Sequence, residues 1–236
     1  MLSIKNLSKA YGGTKKAVDN LSIDVENGDI YGFIGHNGAG KTTTIKCVTG
    51  ILPFESGTVE FNGINLLTSP IEYKSQIAYI PDNPDLYESM TGIKYINFIS
   101  DLYNVTSDKR DSNIKKYADA FELTTSLGAQ ISSYSHGMKQ KLALISALVH
   151  EPKLLILDEP FVGLDPKASH LLKIIMHELC ESGGSIFFST HVLDVAEKLC
   201  NKIAVIKNGT IIRSGLTDEI RGDSSLEDMF LELTEE

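Results

Sequence analysis

Residues 35–42 constrain the fold of this chain more than any other segment. They read Gly-His-Asn-Gly-Ala-Gly-Lys-Thr and match the pattern GxxxxGK[ST]. An apolar, β-rich run, Ile30–Ile34, comes directly before them, and a helix-like run from Lys41 to about Thr49 follows. In this order of strand, glycine-rich loop and helix, backbone N–H groups turn inward around phosphate oxygens. The sequence therefore predicts a phosphate-binding loop in an α/β fold.

Two side chains of this loop add charge and a metal ligand. We expect Lys41 to reach the β- and γ-phosphates of a nucleotide, and the Thr42 hydroxyl to bind Mg²⁺. Given average glycine usage, the bare pattern arises by chance in roughly one chain in a hundred of this length, and the flanking strand and helix lower that further. The predicted nucleotide-binding residues are Gly35, His36, Asn37, Gly38, Ala39, Gly40, Lys41, Thr42 and Thr43.

The rest of the chain contains three kinds of segment, which differ in the pattern of apolar and polar residues. Residues 3–7 and 21–25 alternate apolar and polar side chains, which predicts a small antiparallel sheet. Residues 84–150 carry polar runs of helical period, whereas the apolar runs 154–157 and 185–188 are typical of buried parallel strands. We predict one α/β domain over 1–236. Its P-loop NTPase core has a mainly parallel sheet and an N-terminal antiparallel β subdomain (about 1–83 and 151–236), with an inserted helical subdomain (about 84–150).

Polar residues follow two of the predicted buried strands. Asp158 and Glu159 end the run 154–157, at the strand end where an α/β fold opens its ligand crevice. Such a pair alone is more often a solvated strand terminus, but a nucleotide held by a phosphate loop needs a carboxylate here for its metal. We expect Asp158 to hold Mg²⁺ and Glu159 to polarise the attacking water. His191 leaves the strand 185–188 toward the same region.

Composition indicates which partners the chain could bind and in which cellular compartment it could work. The formal net charge of −9 argues against a nucleic-acid partner, because such proteins carry excess Lys and Arg. Cys47, Cys180 and Cys200 form no CxxC pair, so we expect neither disulfides nor a zinc site, and a reducing cytosol fits best. The first residues do not resemble a signal peptide, and no apolar run approaches the roughly 20 residues that span a bilayer. Any membrane role is predicted to be peripheral.

Taken in this order, the motifs resemble those of the ABC (ATP-binding cassette) ATPase family along almost the whole chain. The resemblance makes Tyr11 the aromatic that stacks on adenine, Gly163-Leu164-Asp165 the D-loop at the nucleotide, and His191 the switch histidine. It implies a subunit that binds and hydrolyses ATP with Mg²⁺. It also implies a second ABC ATPase domain and a separate transmembrane transporter subunit as partners, with the chain in the cytoplasm, peripheral on the inner face of the membrane.

The family's LSGGQ-like signature is altered here. The chain reads Tyr134-Ser135-His136-Gly137-Met138, in which only Ser135 and Gly137 match. The resemblance implies that these two present a hydroxyl and backbone N–H groups to the γ-phosphate of ATP held by the partner domain. His136 replaces the first glycine and adds bulk where backbone approach is close. We therefore expect His136 to affect closure of the two domains.

A second departure lies after the strand Ile77–Ile80. Asp82 stands where the family usually has glutamine. A carboxylate can approach Mg²⁺ or accept from water, but it cannot donate as an amide does. Residues 83–91 follow, which in the family contact the membrane subunit, although they also fit a simple loop between lobes.

Two other functions compete with the transporter subunit. One is a soluble ABC ATPase that acts on ribosomes or chromosomes, although such relatives usually carry two cassettes or a long coiled-coil insertion, and 236 residues show neither. The other is a regulatory module with little ATP turnover, suggested by His136 and Asp82. The sequence leaves open the transported substrate, import against export, and a homodimer against a heterodimer.

Overall fold

A computed structural model describes residues 1–13, 15–222 and 224–235, with side chains as far as residue 232. The strands are β1 (Leu2–Ala10), β2 (Lys16–Val25), β3 (Ile30–Ile34), β4 (Ser56–Phe61), β5 (Ile64–Asn65), β6 (Ile77–Ile80), β7 (Leu154–Asp158), β8 (Ser185–Thr190), β9 (Lys202–Lys207) and β10 (Thr210–Leu216). The α-helices are α1 (Lys41–Val48), α2 (Pro70–Ser75), α3 (Gly92–Leu102), α4 (Ser107–Ala120), α5 (His136–Leu148), α6 (Pro166–Glu181), α7 (Leu193–Leu199), α8 (Thr217–Arg221) and α9 (Leu226–Glu235). Short 3₁₀ turns lie at Thr124–Ser126 and Ile131–Ser133.

The strands form two sheets. One has six strands in the order β10-β9-β3-β8-β7-β6, parallel throughout except for the β9–β10 pair. The other is antiparallel, with the order β2-β1-β4-β5. The predicted α/β class, with a mainly parallel sheet and a separate antiparallel sheet, is confirmed.

The neighbouring strands β7 and β8 are buried along their whole length. Their side chains alternate between the two faces of the sheet. Phe188 joins an apolar cluster with helices α5 and α6, whereas Phe187 faces the antiparallel sheet and packs on Tyr31 and Phe33. Burial on both faces is the reason why these strands read as continuous apolar runs instead of alternating ones.

The order of the parallel strands determines where the functional groups meet. β3, β8, β7 and β6 are consecutive neighbours and run in the same direction, so their carboxyl ends lie along one edge of the sheet. Gly35 follows β3, His191 follows β8, Glu159 follows β7, and Asp82 lies two residues beyond β6. Residues from four distant segments therefore share one edge.

A β-hairpin supports this edge from the side. An Asn-Gly dipeptide between two β-rich runs predicts a hairpin, and Asn208-Gly209 forms one between β9 and β10, with positive φ angles of 51° and 81° that suit a type I′ turn. The Gly209 N–H donates to the carbonyl of Ala39 in the phosphate loop (2.8 Å), and the Gly209 carbonyl accepts from Asp19 of β2 (2.9 Å). The hairpin thus links the phosphate loop to the antiparallel sheet.

Some elements differ from the sequence prediction. The polar run of helical period at 112–121 predicts a helix that begins near residue 112, whereas α4 begins at Ser107. The signal is weak because α4 buries only Ile114 and Ala118. Asn62-Gly63 predicts a turn between two strands, and it joins β4 and β5 with positive φ angles of 51° and 78°. The short helix α2 has too few residues to show a period and was not predicted. The polar, acidic tail from Asp218 predicts a short helix or a frayed end. This region forms α8 and α9, with Leu226, Met229 and Phe230 buried.

Within the described part of the chain, no helix combines the length and apolar character that crossing a bilayer requires.

Replacement of Phe187 by alanine should destabilise the protein, because this ring has no exposed surface and fills the space between the two sheets. We expect the free energy of unfolding to fall by about 3–5 kcal/mol, measured by urea denaturation. Ile174→Ala is the matched control, because that side chain is 41% exposed on α6. It should change the free energy of unfolding by less than about 0.5 kcal/mol, and equal losses in both variants would contradict the packing described here.

Candidate functional site

The phosphate loop requires glycine at the positions where its backbone is most tightly enclosed. Gly40 has φ of 113°, and a Cβ atom there would lie 2.5 Å from the carbonyl oxygen of Ala17. A Cβ atom on Gly35 would lie 2.6 Å from the carbonyl oxygen of Ile206. Neither site has room for a side chain, so the loop keeps a shape in which its N–H groups are free to face an anion.

Lys41 begins helix α1 and turns back over the loop. Its side chain is 6% exposed, and its Nζ donates to the carbonyl of Gly35 at 2.6 Å. The same Nζ lies 3.4 Å from Oε1 of Glu159. A buried ammonium group is thus held between the loop carbonyls and a carboxylate, at the place where phosphate oxygens would be bound.

Asp158 is a buried carboxylate, only 1% exposed, at the end of β7. The hydroxyl of Ser189, on the neighbouring strand β8, donates to its Oδ1. The same hydroxyl accepts from the backbone N–H of Glu159 at 3.2 Å. Since burying an unpaired charge is costly, Ser189 is needed to hold Asp158 in place. Ser189 is not among the residues predicted from the sequence, where the available signal was a polar residue at the end of an apolar strand.

Glu159 lies between the other charged groups of the site. Its backbone has φ of 50°, in the left-handed region that non-glycine residues seldom adopt, which is typical of functional sites. Its Oε2 lies 2.9 Å from Nδ1 of His191, and its Oε1 faces Lys41. The structure therefore brings together three residues that the sequence analysis assigned separately.

Asp82 adds another carboxylate to this edge of the sheet. Partial burial, followed by the charges of Asp158 and Glu159, raises the pKa of Asp82 above its ordinary value. Among the described residues, no three His, Cys, Asp or Glu side chains converge into a metal site made of protein alone. Mg²⁺ is commonly bound by one or two carboxylates together with substrate phosphates. The buried Asp158 carboxylate and the exposed Thr42 hydroxyl fit such a shared site.

Lys41, Thr42, Asp82 and Glu159 line one cleft of about 350 Å³. Asp158 and His191 lie at the same edge of the sheet but do not line it. Tyr11 forms part of its wall with a ring that is 61% exposed, and its hydroxyl lies 3.2 Å from Oγ1 of Thr43. The other lining residues are Ala17, His36, Asn37, Gly38, Gly40, Lys41, Thr42, Thr43, Asp82 and Glu159.

A larger cavity of about 540 Å³ lies between α4 and α6, at the opposite ends of β7 and β8. None of the predicted site residues lines it. The smaller cleft is therefore the candidate functional site.

The signature and D-loop residues occupy a different surface. Ser135 caps helix α5 and accepts from the N–H of Met138 at 3.3 Å. Asp165 caps α6 and pairs with Nζ of Lys141 at 2.7 Å, and this hydrogen bond lowers the pKa of Asp165. Ser135, Gly137 and Asp165 are all described, and none of them lines the cleft of its own chain. The predicted site residues thus fall into two groups.

The Ser189 contacts can be tested with a pair of serines on one strand. Ser189→Ala should leave Asp158 without its donor and loosen Glu159, so we expect ATP hydrolysis to fall at least about tenfold. Ser185→Ala is the matched control, because Ser185 is also buried on β8 and its hydroxyl has no hydrogen-bond partner among the residues that the structure describes. Steady-state phosphate release compares the two variants. Equal turnover in both would show that Ser189 does not support the carboxylates.

Comparison with known proteins places this geometry in a family. The sequence model of the family described as "ABC transporter" matches residues 18–162. The chain is 36% identical to the ABC-type transporter ATP-binding protein EcsA of Bacillus subtilis, over all of this chain and 97% of EcsA. It is 32% identical to the linearmycin resistance ATP-binding protein LnrL of the same organism, over 96% of this chain and 74% of LnrL.

Solved structures agree with the sequence matches. The ATP-binding subunit of an ABC transporter superposes with a TM-score of 0.95 at 35% identity, over 99% of both chains. The dimeric ATP-binding cassette MJ0796, in a post-hydrolysis state with ADP and Pi, has the same fold, with a TM-score of 0.82 at 21% identity over 92% of this chain and 99% of that chain. From the family match, the close relatives and the shared fold, the chain belongs to the ABC transporter family, in which it is an ATP-binding subunit and an ABC ATPase.

Proposed function

We propose that this chain binds ATP with Mg²⁺ in the 350 Å³ cleft, hydrolyses it, and so drives a separate transmembrane transporter subunit. The observation that carries the proposal is the position of Glu159. Its carboxylate lies between Lys41 of the phosphate loop and His191, which directly follows β8. A carboxylate at this place can accept a proton from water at the end of a bound triphosphate.

Nucleotide binding follows from the lining of the cleft. The exposed Tyr11 ring offers a stacking surface for adenine, and the phosphate loop directs backbone N–H groups and Lys41 toward the phosphates. Thr42 and Asp158 would hold Mg²⁺, with Asp82 close by. When bound, the ion would supply positive charge that offsets the carboxylates around it.

Hydrolysis requires Glu159 to exchange one partner. Bound phosphates offer Lys41 a more highly charged partner than the carboxylate 3.4 Å away, so Lys41 moves to the phosphates. Oε1 of Glu159 is then free to accept from the attacking water. His191 continues to hold Oε2 through Nδ1, which fixes the direction of the carboxylate. Catalysis consists mainly of positioning and charge stabilisation.

The site is completed by a second ABC ATPase domain. Ser135 and Gly137 lie at the N-terminus of α5, away from the cleft of their own chain, and a helix N-terminus is a favourable place for phosphate. In a pair of domains, each signature would close over the ATP of the other. The second domain is either another copy of this chain or a different cassette.

An aromatic surface supports docking to a transmembrane subunit. Tyr87, in the segment 83–91, is 57% exposed and packs edge-on against Tyr95 (6.1 Å) and Phe98 (5.7 Å) of α3. Exposed aromatic clusters are common at protein interfaces. Docking here would place the chain in the cytoplasm, on the inner face of the membrane. The helical segment 84–150, which carries both this surface and the signature, would move as one lobe.

Glu159→Gln removes the proton acceptor while keeping the size of the side chain. We expect ATP turnover to fall at least about a hundredfold, ATP binding to persist, and the variant to elute as a dimer when ATP and Mg²⁺ are present. Phosphate release and size-exclusion chromatography measure these effects, and chelation of Mg²⁺ should abolish turnover of the wild type. If the wild type binds ATP without hydrolysing it, the chain is a regulatory module and the proposed ATPase mechanism is wrong.

Tyr87→Glu tests the docking surface. A charge in the centre of the aromatic cluster should prevent association with a transmembrane subunit, seen as loss of the chain from the membrane fraction of its native cell. Ile71→Glu is the matched control, because Ile71 is 86% exposed on α2 but lies outside the cluster. Membrane association that survives in both variants would place the transporter contact elsewhere.

A further inference from the structure

The histidine that replaces the first signature glycine packs on the D-loop of its own chain. A Cβ atom on Gly163 would lie 2.5 Å from Cδ2 and 2.7 Å from Nε2 of His136. The imidazole therefore occupies the space directly against Gly163, whose φ of 80° also requires glycine. Gly137 approaches the same residue, since a Cβ atom there would lie 3.0 Å from the Gly163 carbonyl oxygen.

Gly163 is four residues from the proposed catalytic carboxylate. The segment between them forms a tight turn in which the N–H of Val162 donates to the carbonyl of Glu159 at 3.2 Å. Glu159 starts this turn in a left-handed conformation, with φ of 50°. Because both ends of the turn are constrained, a displacement of Gly163 is transmitted to the backbone of Glu159.

A second contact joins the same two segments. Lys141, one turn further along α5, pairs with Asp165 at 2.7 Å and is 15% exposed. His136 also lines a cleft of about 400 Å³ together with residues of the segment 83–88, so its ring lies between that segment and the D-loop. The first turns of α5 and the D-loop thus form one packed unit, with His136 at its outer end.

We propose that His136 is a positioning residue for ATP hydrolysis, whose ring seats the D-loop at Gly163 and thereby holds Glu159 in its productive orientation. The proposal rests on the proposed ATPase function and concerns the same site. The bulk of His136 thus serves a contact within its own chain. The altered signature alone led us to expect that this bulk would affect closure of the two domains. The contact is made by the shape of the ring, and it does not depend on charge.

The test compares four variants of the purified chain by steady-state ATP hydrolysis. His136→Ala should lower kcat roughly tenfold while KM for ATP changes by less than about twofold, because ATP binding is intact and the carboxylate is displaced. His136→Phe should retain most of the wild-type kcat, since it keeps a ring. His136→Lys, which keeps only a positive charge, should behave like alanine. His170→Ala, at an exposed histidine on α6, is the matched control and should resemble the wild type.

Each result has one interpretation. A wild-type kcat in His136→Ala overturns the proposal. Activity that persists in His136→Lys but is lost in His136→Phe also overturns it, because His136 would then act through a charge contact with phosphate. A fall in the thermal unfolding midpoint that accounts for the lost activity would also overturn it. A wild-type chain without turnover would instead mean that the proposed ATPase function fails, and the two failures are thereby distinguished.

Gly163→Ala provides a second measurement of the same contact. Its methyl group would collide with the imidazole, so this variant should also lose turnover. Gly163→Ala strains a backbone of positive φ as well as colliding with the ring, and His136→Ala relieves only the collision. The double variant His136→Ala with Gly163→Ala should therefore lose less turnover than the product of the two single losses. Losses that multiply would show that the two residues act independently and would overturn the proposal.

Discussion

The parallel pairing of β3, β8, β7 and β6 is the constraint on which the site depends. Each strand ends at the same edge of the sheet, and each delivers a different group: the phosphate loop, His191, the Asp158–Glu159 pair and Asp82. Strands buried on both faces cannot slip in register without exposing apolar side chains and burying polar ones. The precision of the site is therefore supplied by the core, through residues such as Phe187 that make no contact with the cleft.

The electrostatics of this edge explain why a metal nucleotide fits it. Asp82, Asp158 and Glu159 place three carboxylates at this edge, and the pKa of Asp82 is raised first by its partial burial and then by the charges of the other two. Ser189 and Lys41 offset part of this charge, by a hydrogen bond to Asp158 and an ion pair with Glu159. A triphosphate adds further negative charge, so its binding would require the cation that Thr42 and Asp158 are placed to share.

The contact between α5 and the D-loop explains what the histidine in the altered signature touches. His136 is not simply a larger residue in a place made for glycine, because its ring packs on Gly163 within the same chain. The neighbouring Lys141–Asp165 pair holds the same two segments together. The signature helix, the D-loop and Glu159 are consequently linked by contacts of side chain and backbone, and a movement of the helical segment would reach the carboxylate through them.

The sequence by itself determined the phosphate loop, the buried strands, the Asn208-Gly209 turn and the family. Each of these is recognised from residue types at short, fixed spacings along the chain. It did not reveal Ser189, the two partners of Glu159, or the direction in which His136 points. Those features depend on which strands become neighbours and on how α5 packs against the D-loop, and both bring together residues far apart in the chain. Only the tertiary structure decided them, because a contact between distant segments leaves no periodic signal in a single sequence.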